Sequence, residues 1–168
     1  MGSYFMSEST GIIFNNEMND FSIPSAASDG LLPAPGNFIA PGKSPMSSMN
    51  PTIVVDKKGE VAMVIGGAGG VLIMTSMIQT MLNYFYLNKP IQEAIDSHRL
   101  HHQLQPMRVR YEFGYDPEII KFLASKDHVM YEQAPMFTGF AAVVALVRKD
   151  GKLEGAIDSR RGGRVIVF

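Results

Sequence analysis

The sequence predicts a single α+β domain of 168 residues, and three observations support this. Apolar, strand-like runs stand at residues 52–56, 60–65, 138–148 and 153–158. One longer stretch, residues 73–85, repeats its apolar side chains at helical spacing. Between these patterns lies Gly66-Gly67-Ala68-Gly69-Gly70, entered by an alternating apolar run and left by the helical one, so it reads as strand, tight turn, helix. The length suits one domain with a real core and is short for two ordinary domains.

Composition narrows the function classes. The formal charge is -1 and no block of Lys or Arg occurs, which excludes the clustered positive charge that nucleic acid requires. With no cysteine there is neither a disulfide framework nor a thiolate metal site. Charged residues make up only 18% of the chain, as expected where another chain covers part of the surface or the domain is very compact. No charge falls between Val61 and Asn88, a length that invites a membrane-spanning reading. Thr75, Ser76, Gln79, Thr80 and Asn83 on one helical face oppose that reading, because five polar side chains are costly in lipid. The expected core face is Ile73, Met74, Met77, Ile78, Met81, Leu82 and Phe85. The N-terminus shows neither the basic start nor the apolar run of a signal peptide, and Met6 stands where myristoylation would want Ser or Thr.

Taken in order, residues 11–14 read as a short strand that delivers Asn15-Asn16-Glu17-Met18-Asn19-Asp20-Phe21. Glu17 and Asp20 are three apart, so one helical turn points both carboxylates the same way. They are either local turn chemistry or a seat for an ammonium group. Residues 22–51 are Pro-rich and loop-like, interrupted by Asn37-Phe38-Ile39-Ala40, which predicts that the loop packs down. The loop reaches Ser47 and Ser48 between methionines and prolines, as ordinary turn serines or as donors to a carboxylate. Lys57-Lys58-Gly59 signals a hairpin between the first two long strands. The glycine corner is not a dinucleotide fingerprint, since Leu72 stands where Gly or Ala is needed, and no Gly-Lys-Ser/Thr follows for a P-loop. Its free N–H groups suit an anion or a developing oxyanion.

Pro90 opens a second helix over residues 91–98. His98, His101 and His102 have a spacing that a metal site could use, but no carboxylate or zinc motif surrounds them, and hydrogen-bonding histidines are the plainer reading. Residues 107–113 alternate as a strand, Asp116-Pro117 opens a helix to residue 123, and residues 128–133 form another strand. The run 138–148 is almost wholly apolar, which predicts a central strand covered on both faces. Asp150-Gly151 turns into a partner strand at 153–158, followed by the charged Asp158-Ser159-Arg160-Arg161, read as an ion-paired tail.

Five stretches in this order resemble one family. They are Asn15 to Phe21, Pro45-Met46-Ser47-Ser48-Met49, Gly66 to Gly70, Arg99-Leu100-His101, and Asp158-Ser159-Arg160 ahead of Gly162-Gly163. Together, over residues 2–163, they resemble the small, C-terminal subunit of the gamma-glutamyltranspeptidases (glutathione hydrolases). The resemblance implies an N-terminal nucleophile hydrolase fold, a four-layer αββα sandwich, incomplete here at its N-terminus. It also implies cleavage of γ-glutamyl amides such as glutathione by an N-terminal Thr, with transfer to water or to an amino-acid or peptide acceptor. By matching position, Glu17 and Asp20 would hold the substrate α-ammonium, Ser47 and Ser48 its α-carboxylate, and Gly69 and Gly70 the oxyanion. The family pattern has Asp where Asn19 stands, and this sequence begins downstream of the position of the nucleophilic Thr. The expectation is therefore a chain with the substrate seat but without the attacking group, inactive alone. The rival expectation is a noncatalytic binding protein on the same fold. The resemblance implies no cofactor or metal, a large subunit of the same precursor as partner, and, for the full-length family, the outer face of the plasma membrane.

Overall fold

The computed structural model describes residues 2–25, 30–134 and 139–166, which divide into two compact units, residues 1–47 and 48–168. Thr138, the expected start of the last long strand run, lies outside the described residues.

In the first unit the expected strand at residues 11–14 is reduced to a single antiparallel bridge between Met6 and Ile13. The run is apolar, but Ile12, Ile13 and Phe14 stay exposed and no further strand among the described residues extends the ladder. Glu17–Asp20 forms the expected helical turn, of the 3-10 kind, and a second 3-10 turn spans Pro35–Asn37. The loop does pack down, but through a polar residue rather than through Phe38 or Ile39. Asn37 is buried, its Nδ2 donates to the Asp20 carbonyl at 2.8 Å and to Ser22 Oγ at 3.2 Å, and its Oδ1 accepts from the Met46 N–H at 2.9 Å. One amide thus ties three chain segments whose backbone groups have no ladder to satisfy them.

The second unit holds two sheets. Strands β1 (Thr52–Val55) and β2 (Val61–Ala68) form the expected hairpin, with Gly59 at φ +81° and Asp56 Oδ1 accepting from the Lys58 and Glu60 N–H groups. After β2 come helices α1 (Ile73–Phe85) and α2 (Ile91–Asp96), then β3 (Leu100–His101), β4 (Val109–Glu112), α3 (Pro117–Ala124), β5 (Met130–Gln133), β6 (Ala142–Lys149) and β7 (Lys152–Ile157). The four-stranded sheet runs β1-β2-β6-β7, antiparallel throughout. The smaller sheet runs β3-β4-β5, and its parallel pair β4–β5 is joined through α3, as a parallel connection requires. Asp116 caps α3 by accepting from the Glu118 N–H at 2.9 Å, with Pro117 in the first turn.

The core lies between one face of the four-stranded sheet and α1 and α2. Met63, Ile65, Val143, Ala145 and Val147 meet Ile73, Met77, Ile91 and Ile95 there. Two expectations are corrected. First, β6 is central but covered on one face only: Val143 and Val147 are fully buried while Val144 is 50% exposed, and Leu146 is exposed beside it. The register aligns Ile53, Val64 and Leu146 in one row of that open face. Second, α1 buries Ile73, Ser76, Met77 and Thr80, whereas Met74, Ile78, Leu82 and Phe85 face outward. Small polar side chains suit the inner face because they let the neighbouring α2 approach, and Thr80 Oγ1 is satisfied by the Ser76 carbonyl at 3.0 Å. No helix among the described residues is long and apolar enough to cross a membrane.

Candidate functional site

The glycine corner is built by register. Strand β2 runs further than the hairpin pattern suggests, pairing Gly66 with Val144, Gly67 with Val143 and Ala68 with Ala142 before the chain turns. The turn itself is Gly69 (φ +151°) and Gly70 (φ +61°), leading through a 3-10 turn, Gly70–Leu72, into α1. Gly69 is required on two counts. Its φ belongs to glycine, and a Cβ there would sit 2.5 Å from Ala141 Cα, a backbone atom that cannot swing away. Gly70 is required by φ alone, since an added Cβ meets nothing within 4 Å. Both residues are exposed, and among the described residues neither N–H has an acceptor. Two free donors at the entry of a helix are the arrangement that holds an anion or an oxyanion.

Beside the corner lies a cavity of about 370 Å³, walled by Gly66, Gly67 and Ala68 from β2, Ala142 and Val144 from β6, and Asp158 and Arg161 beyond β7. Gly66, where an added Cβ would meet nothing within 4 Å, leaves this space open.

The other expected site residues lie as follows. Glu17 and Asp20 share the one 3-10 turn, whose three-residue period puts them on the same side. Neither carboxylate takes part in an ion pair among the described residues. The turn is held by Asn15 Oδ1, which accepts from the Glu17 N–H at 3.0 Å, and by Asn37 on the Asp20 carbonyl. Ser47 and Ser48 are exposed in extended chain; Ser47 ends the first unit and Ser48 begins the second. Asn37, through Met46, fixes the backbone that leads into Ser47.

His101 and His102 take hydrogen bonds. His101 is buried, with Nδ1 2.8 Å from Thr75 Oγ1 and Nε2 2.7 Å from Gln103 Oε1. Burial pulls its pKa below the usual value despite the Gln103 bond.

The residues that reading the sequence as a charged tail underrated form a buried ionic cluster. Arg99 and Asp158 are each 1% exposed and pair at 2.8 Å. Arg99 also donates to the carbonyls of Ile95, at 2.6 Å, and of Ala141. Asp158 Oδ2 accepts from the Val143 N–H at 2.8 Å, and its Oδ1 accepts from the Arg160 N–H and Nη1, both at 3.0 Å. Arg160 in turn grips Glu112 with two bonds of 2.5 Å, and Glu112 Oε2 accepts from the Arg99 N–H at 2.7 Å. Two cations and two anions are thus almost fully bonded, the condition under which buried charge is tolerated. Burial would raise the Asp158 pKa, but the Arg160 N–H, Arg99 and the Val143 N–H outweigh it and hold it below the usual carboxylate value. The sequence signal was there in Arg99-Leu100-His101 and in Asp158-Ser159-Arg160 at a strand end.

Comparison with known proteins decides the family. The gamma-glutamyltranspeptidase family model matches residues 1–168. The chain belongs to the gamma-glutamyltranspeptidase family. It is 43% identical to Scoloptoxin SSD14 of Scolopendra dehaani over 98% of its length and 40% identical to glutathione hydrolase proenzyme 1 of Schizosaccharomyces pombe over 95%. It spans 28% and 25% of those two relatives' own lengths. Among solved structures it is similar to a gamma-glutamyltranspeptidase of Pseudomonas nitroreducens complexed with L-DON, with TM-score 0.85 and 32% identity, covering 99% of this chain and 87% of that one. The fold is therefore that of the N-terminal nucleophile hydrolases. In such a four-layer sandwich each central sheet packs helices on one face and the facing sheet on the other, and the four-stranded sheet here shows that division: helices over one face, bare Val144 and Leu146 on the other.

Proposed function

We propose that this chain carries the γ-glutamyl-binding and oxyanion-stabilising part of an enzyme that cleaves γ-glutamyl amides such as glutathione, the attacking Thr coming from outside these 168 residues. The observation that carries the reading is the pair of unbonded N–H groups at Gly69 and Gly70, in a chain of this family. When a nucleophile adds to the γ-carbonyl carbon, negative charge moves to the carbonyl oxygen, and each preorganised N–H aimed there lowers the barrier by about 2.7–4 kcal/mol. Glu17 and Asp20 take the α-ammonium and Ser47 and Ser48 the α-carboxylate, so that the zwitterionic head is held while the γ-carbonyl reacts. The tetrahedral adduct collapses by expelling the amine, and water or an amino-acid or peptide acceptor then removes the γ-glutamyl group. A large subunit of the same precursor completes the assembly.

Calorimetry of the purified chain with glutamate and with glutathione tests the seat. Weak binding that disappears in Asp20→Ala, with the fold intact by circular dichroism, is expected; equal heats in the two proteins would refute the assignment. Turnover of a γ-glutamyl anilide by the chain alone, above a Ser47→Ala/Ser48→Ala control, would refute an external nucleophile.

A further inference from the structure

The buried cluster lies within bonding reach of the corner's wall, and this gives it a task. Gly69 turns with its Cα side pressed on Ala141, so close that no Cβ fits. The Ala141 carbonyl accepts from Arg99 Nη1, and two residues on, the Val143 N–H donates to the same Asp158 carboxylate that pairs with Arg99. The start of β6 is therefore gripped at both ends by one ion pair, and β2 is registered on that stretch through Gly67–Val143 and Ala68–Ala142. Arg99 is itself fixed from three sides. Its second nitrogen bonds Ile95 at the end of α2, its own N–H bonds Glu112 on β4, and Glu112 is held by Arg160.

We propose that Arg99, locked by Asp158, is a positioning residue for the oxyanion corner: by holding the Ala141 carbonyl it sets the wall against which Gly69 turns, and so aims the Gly69 and Gly70 N–H groups. A guanidinium suits this because its planar fork bonds the Ala141 and Ile95 carbonyls and the carboxylate at once, which a lysine ammonium cannot do in one plane. The inference rests on the reading of Gly69 and Gly70 as oxyanion donors for its functional meaning, but its structural claim stands apart and is tested apart.

The test is glycine-selective ¹⁵N NMR of the 168-residue chain. Arg99→Met/Asp158→Asn removes both charges together, so no lone buried charge remains. Arg99→Lys keeps the charge and loses the fork. In both, the Gly69 and Gly70 cross-peaks are expected to move while that of Gly151, in the turn between β6 and β7, stays in place. Arg148→Met, which removes an exposed ion pair at the far end of β6, should leave Gly69 and Gly70 in place. Unchanged shifts at Gly69 and Gly70 in either folded variant overturn the proposal. So does loss of the whole folded spectrum in both variants, which would make the cluster a support for the entire core rather than for the corner. Failure of glutamate to bind the wild-type chain, with Gly69 and Gly70 moving as described, would strike the proposed function and leave the positioning intact.

Discussion

Replacing Gly69 by alanine is the sharpest test of the corner, because two separate costs fall on one methyl group. The backbone there has φ +151°, a region in which an L residue is strained by about 1–3 kcal/mol. The added Cβ would also lie 2.5 Å from Ala141 Cα and 2.6 Å from Ala141 Cβ, and both atoms, in the residue just before β6, cannot rotate out of the way. Overpacking of that kind costs about 1–3 kcal/mol. Gly69→Ala should therefore lose about 2–6 kcal/mol, whereas Gly70→Ala meets nothing within 4 Å and pays only its left-handed φ, about 1–2 kcal/mol. In a chain of this size each kcal/mol lowers the melting temperature by about 2–4 °C. Paired thermal and urea melts of the two variants read the difference. A Gly69→Ala protein as stable as Gly70→Ala would show that the corner does not press on Ala141, and the argument from close approach would fall with it.

The remaining predictions concern the supports. Asn37→Ala strands the Met46 N–H and the Asp20 carbonyl, so it should destabilise the first unit by about 1–3 kcal/mol and speed proteolysis within residues 1–47 before any change in the sheet signals. Val143→Ala empties part of the core and should cost about 2 kcal/mol, while Val144→Ala, on the open face, should cost less than about 1 kcal/mol in urea melts of the isolated chain. The folded-state pKa of Asp158 is depressed, so its contribution to stability is present above the unfolded carboxylate value, near 4, and is lost as pH falls through the folded value. Asp158 faces Arg99 and Arg160 directly, with Glu112 and Asp96 nearby, and Asp158→Asn should flatten the acid limb of the stability–pH curve measured by urea titration.

Where local chemistry determines structure, the sequence was legible. Lys57-Lys58-Gly59 forced a hairpin because Gly59 supplies the positive φ, and Asp116-Pro117 started α3 by capping and preset geometry. The strand and helix around the glycine corner were equally plain. What failed was the inference of burial from apolarity. Residues 11–14 read as a strand but pair with the preceding segment through only a single bridge, Met6 to Ile13, and stay exposed. Met74, Ile78, Leu82 and Phe85 have the right period for a core face, yet beside Ile73 and Met77 the core took Ser76 and Thr80. β6 is apolar on both faces, and a single sequence cannot say that one of those faces waits for a neighbour.

The site divides along the same line. Glu17, Asp20, Ser47, Ser48, Gly69 and Gly70 are visible as motifs because each group is contiguous, and backbone periodicity alone brings its members together. Arg99, Asp158, Arg160 and Glu112 are separated by up to 59 residues in the pairs they form, so no local pattern joins them. Asp158-Ser159-Arg160 looks like a solvated tail when read along the chain. Folding inverts it, since β7 ends beside the start of β6 and the Val143 N–H needs an acceptor that no strand partner supplies. A buried carboxylate answers that need only if a cation comes with it, and Arg99 does. The corner's two N–H groups can stay without a protein acceptor because Gly69 and Gly70 are exposed, whereas Arg99 and Asp158 behind them are buried and must be bonded within the protein.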